Sequence, residues 1–369
     1  MNHSNHSTGR VDSTDVVIVG AGPIGIEMAV ALRRRGLRFE ILESGVVGQT
    51  MSWWAPQTRW FSSNERIAIA GVPLITPDQS KATREEYLNY LRGVVMQFDI
   101  RVRTGEKVVD VARSSAPPAD RPLIVTSRST AGRRQLRCKG VVLAIGGTDF
   151  PRRLSIPGED LPHVDGYLRE THRYFGRRVL IIGGRNSAIE AALRLHHVGA
   201  RVSLSYRGDA LPEESIKYWL RPEINGLIAG GRIAAHFATR PTKITPTHVE
   251  LEPVGDSRNG SDQIQTVAAD DVLCLIGYEQ DKTLFETAGI ELVDETRRPK
   301  VDIATMRSNV PGVYVAGTAV AGTQNSRYKT FLENCHEHID KIIADLTGQV
   351  GAGHPVPVFA DQVAANPES

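Results

Sequence analysis

Apolar and polar positions along this chain fall into a pattern that occurs twice. Each copy reads as a short apolar run, a glycine turn, a helical stretch, a second glycine and another apolar run. In the first copy Asp15–Val19 predicts a buried strand and GAGPIG, Gly20–Gly25, predicts the turn. Ile24, Met28, Ala31 and Leu32 recur at helical spacing, which predicts a helix through Arg35 that Gly36 ends. Arg38–Leu42 predicts the next strand, closed by Glu43. In the second copy the strand is Arg178–Ile182, the turn is GGRNSA at Gly183–Ala188, the helix runs through His197 to Gly199, and Arg201–Tyr206 follows as a strand. Gly20 and Gly183 lie 163 positions apart, too far for a solenoid period, so the pattern is a duplicated βαβ unit.

Two further apolar runs end on glycine, Val141–Gly147 before the second unit and Val272–Gly277 after it. Paired strands of this kind let a chain leave one domain and later return. The predicted fold is therefore α/β, with two Rossmann-like three-layer dinucleotide-binding domains, one inserted into the other. Residues 14–148 and 276–350 form the discontinuous domain and 149–275 the insert, with 1–13 a disordered leader and 351–369 a loose tail. A length of 369 residues suits two domains.

Composition narrows the function. Lys plus Arg number 44 and Asp plus Glu 42, and the net charge of +2 lacks the basic excess of a nucleic-acid binder. The three cysteines are dispersed and form no CxxC, which excludes a disulfide framework and a cysteine zinc site and fits a cytoplasmic protein. The polar N-terminus has no apolar core of a secretory signal, and Glu27 and several glycines interrupt the most apolar stretch, Val16–Leu32, so no membrane span is expected.

The glycine turns carry the chemistry. GAGPIG fits GxGxxG: Gly20 allows the tight turn, Gly22 leaves room for a pyrophosphate, and Gly25 lets helix and strand pack closely. Phosphates then meet the helix N-terminus, at Pro23 and Ile24, and Glu43 is the ribose acceptor. The second turn departs from the fingerprint. Arg185 stands at the middle glycine position and Ala188 at the third, within Gly183, Gly184, Arg185, Asn186 and Ser187. At the strand end Tyr206 and Arg207 replace the carboxylate. An arginine there suits a ribose 2′-phosphate, which favours NADPH over NADH, and Lys217 adds charge.

These features resemble the small flavoprotein disulfide reductases of the thioredoxin reductase type, and more specifically the bacillithiol disulfide reductase (bacilliredoxin reductase) branch. The resemblance rests on TRWFSSNERIAIAGVP (58–73), IPGEDLPHVDGY (156–167), GGRNSA (183–188), ESIKYWLRPEI (214–224) and the AGT…FLEN run (316–334). It implies that the first unit binds FAD and the inserted one NADPH, and that homodimers or larger homo-oligomers form. It extends the FAD site to Gly48, Gln49, Thr50, Ala144, Gly146, Gly317 and Thr318, and the NADPH site to Gly277. The branch carries a cysteine inside its first glycine motif, where this chain has Ile24. The resemblance thus implies hydride transfer from NADPH to flavin and delivery to an acceptor docked at the flavin: a disulfide, a quinone, a ferredoxin-like protein or oxygen. A flavin monooxygenase and a non-catalytic FAD-binding redox sensor are the alternatives. Ile24 and Arg185 motivate the sensor.

The remaining candidates have plainer readings. Cys335 is expected on a helix with Phe331, Ile339 and Ile342 as a core stripe, Cys274 inside a core strand, and Cys138 partly exposed beside Arg137 and Lys139. His336 and His338, flanking Glu337, are expected to be solvated rather than metal ligands. His163 and Tyr167 read as an interdomain linker. Trp53, Trp54, Trp60 and Phe61 are expected either near the isoalloxazine ring or in ordinary core packing.

Overall fold

A computed structural model describes residues 12–115, 119–254, 263–323 and 330–348. The chain divides into two compact units. The first takes the described residues up to Ser52, Arg59–Gly147, and those from Gln280 onward; the second takes Trp53–Thr58 and Thr148–Glu279.

In the first unit the strand Val16–Val19 is buried throughout because both faces of its sheet are covered, which is why its sequence runs apolar without alternation. It is the centre of a parallel five-stranded sheet in the order Val313–Val315, Gly140–Leu143, Val16–Val19, Phe39–Leu42, Val102–Arg103. The helix Pro23–Arg34 buries Ile24, Ile26, Met28, Val30 and Leu32, and Gly36 at φ +67° turns the chain back into Phe39–Leu42. A second sheet joins Asp12–Ser13, Gly132–Cys138, Leu123–Ser129 and Lys107–Arg113. The leader was expected to extend to residue 13. Asp12 and Ser13 instead pair with Leu136 and Arg137, while residues 1–11 and the tail at 351–369 lie outside the described residues.

The second unit repeats the motif. Its parallel sheet runs Val164–Asp165, Asp271–Cys274, Arg178–Ile182, Arg201–Tyr206, Ala234–Phe237, and the helix Asn186–His197 packs its apolar face on that sheet. An antiparallel three-stranded sheet, Thr239–Ile244, His248–Pro253 and Gln265–Ala268, adds a smaller core. The two copies make matching contacts at the first glycine of the turn. The Gly20 amide donates to Leu42 O at 2.8 Å, and the Gly183 amide to Ser205 O at 3.0 Å. A Cβ on Gly20 would lie 2.4 Å from Ala144 O, and one on Gly183 2.4 Å from Leu275 O.

Two boundaries differ from the sequence expectation. Ile276–Glu279 stays with the second unit because Tyr278–Glu279 pairs antiparallel with Phe150–Pro151. Trp53–Thr58 also belongs to it: Arg194 donates to Thr58 Oγ1 at 2.8 Å and to the Pro56 carbonyl, and Trp53 packs on Tyr167 with centroids 4.5 Å apart. Among the described residues no helix is long and apolar enough to cross a membrane.

Candidate functional site

The first glycine turn is held from several sides. Ala21 N–H donates to Glu43 Oε2 at 2.8 Å, and Ala21 C=O accepts from the Gly48 amide at 3.0 Å. The Gly45 amide donates to Glu43 Oε1 at 2.7 Å. These bonds bring Gly20–Gly25, Glu43 and the Gly48–Gln49–Thr50 turn together. Gly48 is buried at φ +71°, where a Cβ would come 2.7 Å from Leu88. Glu43 is buried, and its carboxylate, which also accepts from Ser44 Oγ at 3.3 Å, keeps acceptor capacity beyond these three donors, since a carboxylate offers about four lone-pair sites.

The three glycines differ in what surrounds them. A Cβ on Gly25 would lie 2.0 Å from Gly20 O, whereas one on Gly22 would meet nothing among the described residues within 4 Å. Gly22 precedes a helix with no side-chain cap. A small concavity bounded by backbone amides at a helix N-terminus is the arrangement that accepts a phosphate, so these residues fit the dinucleotide expected there.

Gly317 completes this cluster. At φ +72° a Cβ would press within 3.3 Å of the Ile24 side chain, so the Ala316–Thr318 segment lies against the first turn. Its amide donates to His338 Nδ1 at 3.1 Å. His338 was expected to be solvated, yet it is 6% exposed, and burial pulls its pKa down to about 4. The ring is therefore neutral at pH 7, with its proton on Nε2. Sequence reasoning also missed Gln280. This buried side chain donates through Nε2 to Gly146 O at 3.0 Å and Ala319 O at 2.9 Å, tying the end of the Gly140–Leu143 strand to the Gly317 turn. Ala144 packs beneath Gly20 and Gly25.

His336 corrects the second histidine expectation. Its Nδ1 donates to Glu27 Oε2 at 2.8 Å and its Nε2 to Arg66 O at 3.0 Å, and Glu27 is 1% exposed. Nε2 can only donate to the carbonyl, and the Glu27 carboxylate beside Nδ1 favours the charged ring, raising the His336 pKa against the effect of burial. Among the described residues no group of three or more His, Cys, Asp or Glu is placed to hold a metal.

In the second unit Gly183–Ala188 opens the helix Asn186–His197, whose N-cap Arg185 is extended, exposed and makes no side-chain cap. Gly184 is required because the Tyr206 ring lies across it: a Cβ would fall 2.5 Å from a ring carbon. Tyr206 thus covers the turn, and Arg207 is the exposed residue at the strand end. The Lys217 amide donates to Asn186 Oδ1 at 2.8 Å, which brings Lys217 to the same turn. Ser187 is exposed beside it. Gly277, at φ +101°, accepts from the Arg152 amide at 2.9 Å. One turn along the same helix sits Glu190, whose pKa burial raises to about 7 against a weaker opposing pull from Arg194. The folded protein therefore holds a proton that the unfolded chain releases near its ordinary 4.5, and stability falls as pH rises from 4.5 to 7. Glu190→Gln is expected to stabilise the protein by on the order of 1–3 kcal/mol at pH 8 and by nothing at pH 4, read from denaturant melts at both values.

The cysteines are all buried, and burial pushes each thiol up to about 12. Cys138 is not partly exposed: the two-residue period of its strand puts it on the inner face with Leu136. Cys335 is buried but lies before the helix, which starts at Glu337; Phe331, expected in its core stripe, is exposed. The aromatic group is divided. Trp53 packs with Tyr167 and Tyr278 in the second unit, while Trp60 packs on Tyr87 in the first at 4.6 Å.

The profile of the family described as pyridine nucleotide-disulphide oxidoreductase matches residues 17–317. The bacilliredoxin reductase Bdr of Bacillus subtilis (strain 168) is 35% identical over 330 residues, covering 89% of this chain and 96% of that protein. A ferredoxin–NADP reductase of Oceanobacillus iheyensis is 26% identical over 309 residues, covering 82% of this chain and 84% of that one. The solved bacillithiol disulfide reductase Bdr of Bacillus cereus superposes with a TM-score of 0.82 at 31% identity, over 91% of this chain and 99% of that one.

Proposed function

From the membership of this chain in the pyridine nucleotide-disulphide oxidoreductase family, we propose how its two glycine turns divide the work of one redox reaction. The chain is an NADPH-dependent flavoprotein oxidoreductase that uses FAD and NADPH. Gly20, Gly22, Pro23, Ile24 and Gly25 bind the FAD pyrophosphate at the first helix N-terminus, and Glu43 accepts from the ribose. Gly48–Thr50, Ala144, Gly146, Gly317 and Thr318 line the rest. The observation that carries this assignment is the open space at Gly22, set between glycines that the fold itself requires. In the second unit Gly183–Ser187 receives the NADPH pyrophosphate, Tyr206 walls the turn, Arg207 and Lys217 hold the 2′-phosphate, and Gly277 borders the far end.

When bound, the flavin supplies the redox chemistry, taking hydride equivalents from the nicotinamide and giving electron pairs to an acceptor. The residues of this chain hold and orient each cofactor at its own glycine turn. All three cysteines are free and buried, so in this reading the acceptor takes electrons directly at the flavin rather than through a protein disulfide. A low-molecular-weight disulfide or a small redox protein of ferredoxin type is the acceptor class, in line with what the relatives are named for. Three dispersed buried thiols support a reducing compartment, the cytoplasm, and the family resemblance supports a homo-oligomer.

Arg207→Ala is expected to raise the KM for NADPH by about 10–100-fold and leave that for NADH unchanged, the loss of one charge-assisted phosphate contact. Equal effects on both coenzymes in steady-state assays would remove Arg207 from the 2′-phosphate site. Alanine at Cys138, Cys274 or Cys335 singly is expected to leave kcat with a disulfide acceptor within about twofold. A loss of kcat but not of flavin reduction in one variant would bring that thiol into the pathway.

A further inference from the structure

The parallel sheet of the second unit begins on a row of arginines. Arg178 pairs in register with Arg201, and the register of the next pair, Ser203 with Ala234, carried back two residues sets Arg201 beside Arg232. Neighbouring strands lie about 4.8 Å apart, so the row spans roughly 10 Å. Asp270 neutralises Arg178 at 2.6 Å. Arg201 reaches only the Gly176 carbonyl, at 3.4 Å, and among the described residues neither it nor Arg232 has a carboxylate partner. Like charges set side by side across strands destabilise a sheet unless something offsets them. The next row on the same face is Leu180, Ser203 and Ala234. Leu180 is covered by the antiparallel sheet, but the cover stops at Val267 and Ala268, leaving Ser203 half-buried and Ala234 exposed. A parallel sheet ordinarily has both faces covered. The uncovered floor, the arginine row and the Val267–Ala268 wall bound a groove of about 850 Å³. The one carboxylate among its lining residues, on Glu223, is taken by His197 at 2.6 Å.

We propose that this groove is an anion site separate from the NADPH turn and that it takes an organic diphosphate, its phosphates on Arg201 and Arg232 and the rest of the molecule on the Ser203–Ala234 floor. The guanidinium fork is the side chain best matched to phosphate, and two of them one strand apart, without counter-charge, match two linked phosphates. The volume is that of a small-molecule pocket, more than an inorganic anion fills. Gly183 and Arg207 follow the far ends of the same strands. The five residues of Arg178–Ile182, at about 3.3 Å each, put roughly 15 Å between the groove and the NADPH turn. The groove therefore does not depend on the NADPH reading, and its occupant leaves the coenzyme site free.

The test is isothermal titration of the full-length protein with two probes, ADP and inorganic pyrophosphate. ADP is expected to bind the groove more tightly than pyrophosphate, in addition to any bound at the NADPH turn. The double variant Arg201→Gln/Arg232→Gln should weaken that groove-bound equivalent of either probe by about tenfold or more. Ala234→Trp keeps every charge and fills the floor, so it should weaken ADP by about tenfold while affecting pyrophosphate less. All three positions are exposed, so melting temperatures are expected to stay near that of the unsubstituted protein, and the KM for NADPH within about twofold. Unchanged ADP binding in both variants overturns the inference, because ADP then binds only at the coenzyme turn or elsewhere. ADP binding that the arginine variant weakens and Ala234→Trp does not also overturns it, since an open patch of charge would do the same without a groove. Pyrophosphate binding as tight as that of ADP contradicts an organic ligand.

Discussion

Alanine at Gly22 is expected to leave the cofactor-free protein as stable as before and to weaken FAD binding by a hundredfold or more, while alanine at Gly25 costs both. The contrast follows from what a single methyl group meets. At Gly25 it would lie 2.0 Å from Gly20 O and 3.0 Å from Gly20 C, both backbone atoms. Gly20 cannot yield, because its amide is bonded to Leu42 O and its φ of +102° fixes the turn. The helix must therefore lift from the strand, at about 1–3 kcal/mol or more of overpacking strain. At Gly22 the methyl meets no atom of the described residues within 4 Å, and the residue is extended at φ −76° and ψ −178°, which any amino acid adopts. The fold makes no demand for glycine there, and the proposed FAD phosphate would be what makes one. Thermal melts of deflavinated protein and FAD titrations of both variants separate the two roles. Undiminished FAD affinity in Gly22→Ala would show that the phosphate does not pass over this turn.

The second large effect lies in the pair that Glu27 makes with His336. Glu27 Oε1 accepts the Ala70 amide at 2.8 Å and Oε2 the His336 ring N–H, so both oxygens are engaged at a site with 1% exposure. His336→Leu takes the ring away from a buried carboxylate, and the cost is expected to be about 3–5 kcal/mol. The double variant Glu27→Gln/His336→Leu, which leaves no buried charge behind, is expected to recover a large part of that loss. The pair also has a pH signature. Burial lowers the His336 pKa, but Glu27 and the Arg66 carbonyl outweigh it, and the folded value stands above the ordinary 6.5. Its contribution to stability is therefore complete below pH 6.5 and is lost as pH rises through the folded value. Glu27→Gln should flatten the fall in stability in that window in urea melts taken at a series of pH values. An unchanged profile would contradict the ion pair.

The glycine turns and their flanking strands were legible because local sequence decides them: an apolar run, a glycine at positive φ and a helix of apolar period need no distant information. What the sequence hid was set by long-range pairing. Ile276–Glu279 looks like the start of the returning domain until Phe150–Pro151 pairs with it. Trp53–Thr58 is claimed by Arg194, more than a hundred residues away. The histidines were misread because a helical rule was applied before the helix begins. His336 is the N-cap residue of Glu337–Thr347, and its partner Glu27 lies 309 positions away. Cys138 is a different case. Its flanking Arg137 and Lys139 suggested exposure, yet alternation along the strand places Leu136 and Cys138 inward together, a signal already present in the sequence. Gln280 belongs to no motif, and only the carbonyls it meets reveal it.

In the proposed reaction NADPH bound at the second glycine turn reduces FAD bound at the first. An anaerobic titration of the FAD-loaded protein, with the visible flavin band as the readout and NADH as the control, tests it most directly. Bleaching of the band by stoichiometric NADPH, with NADH far less effective, is the predicted result. A flavin band that persists in excess NADPH would contradict the account.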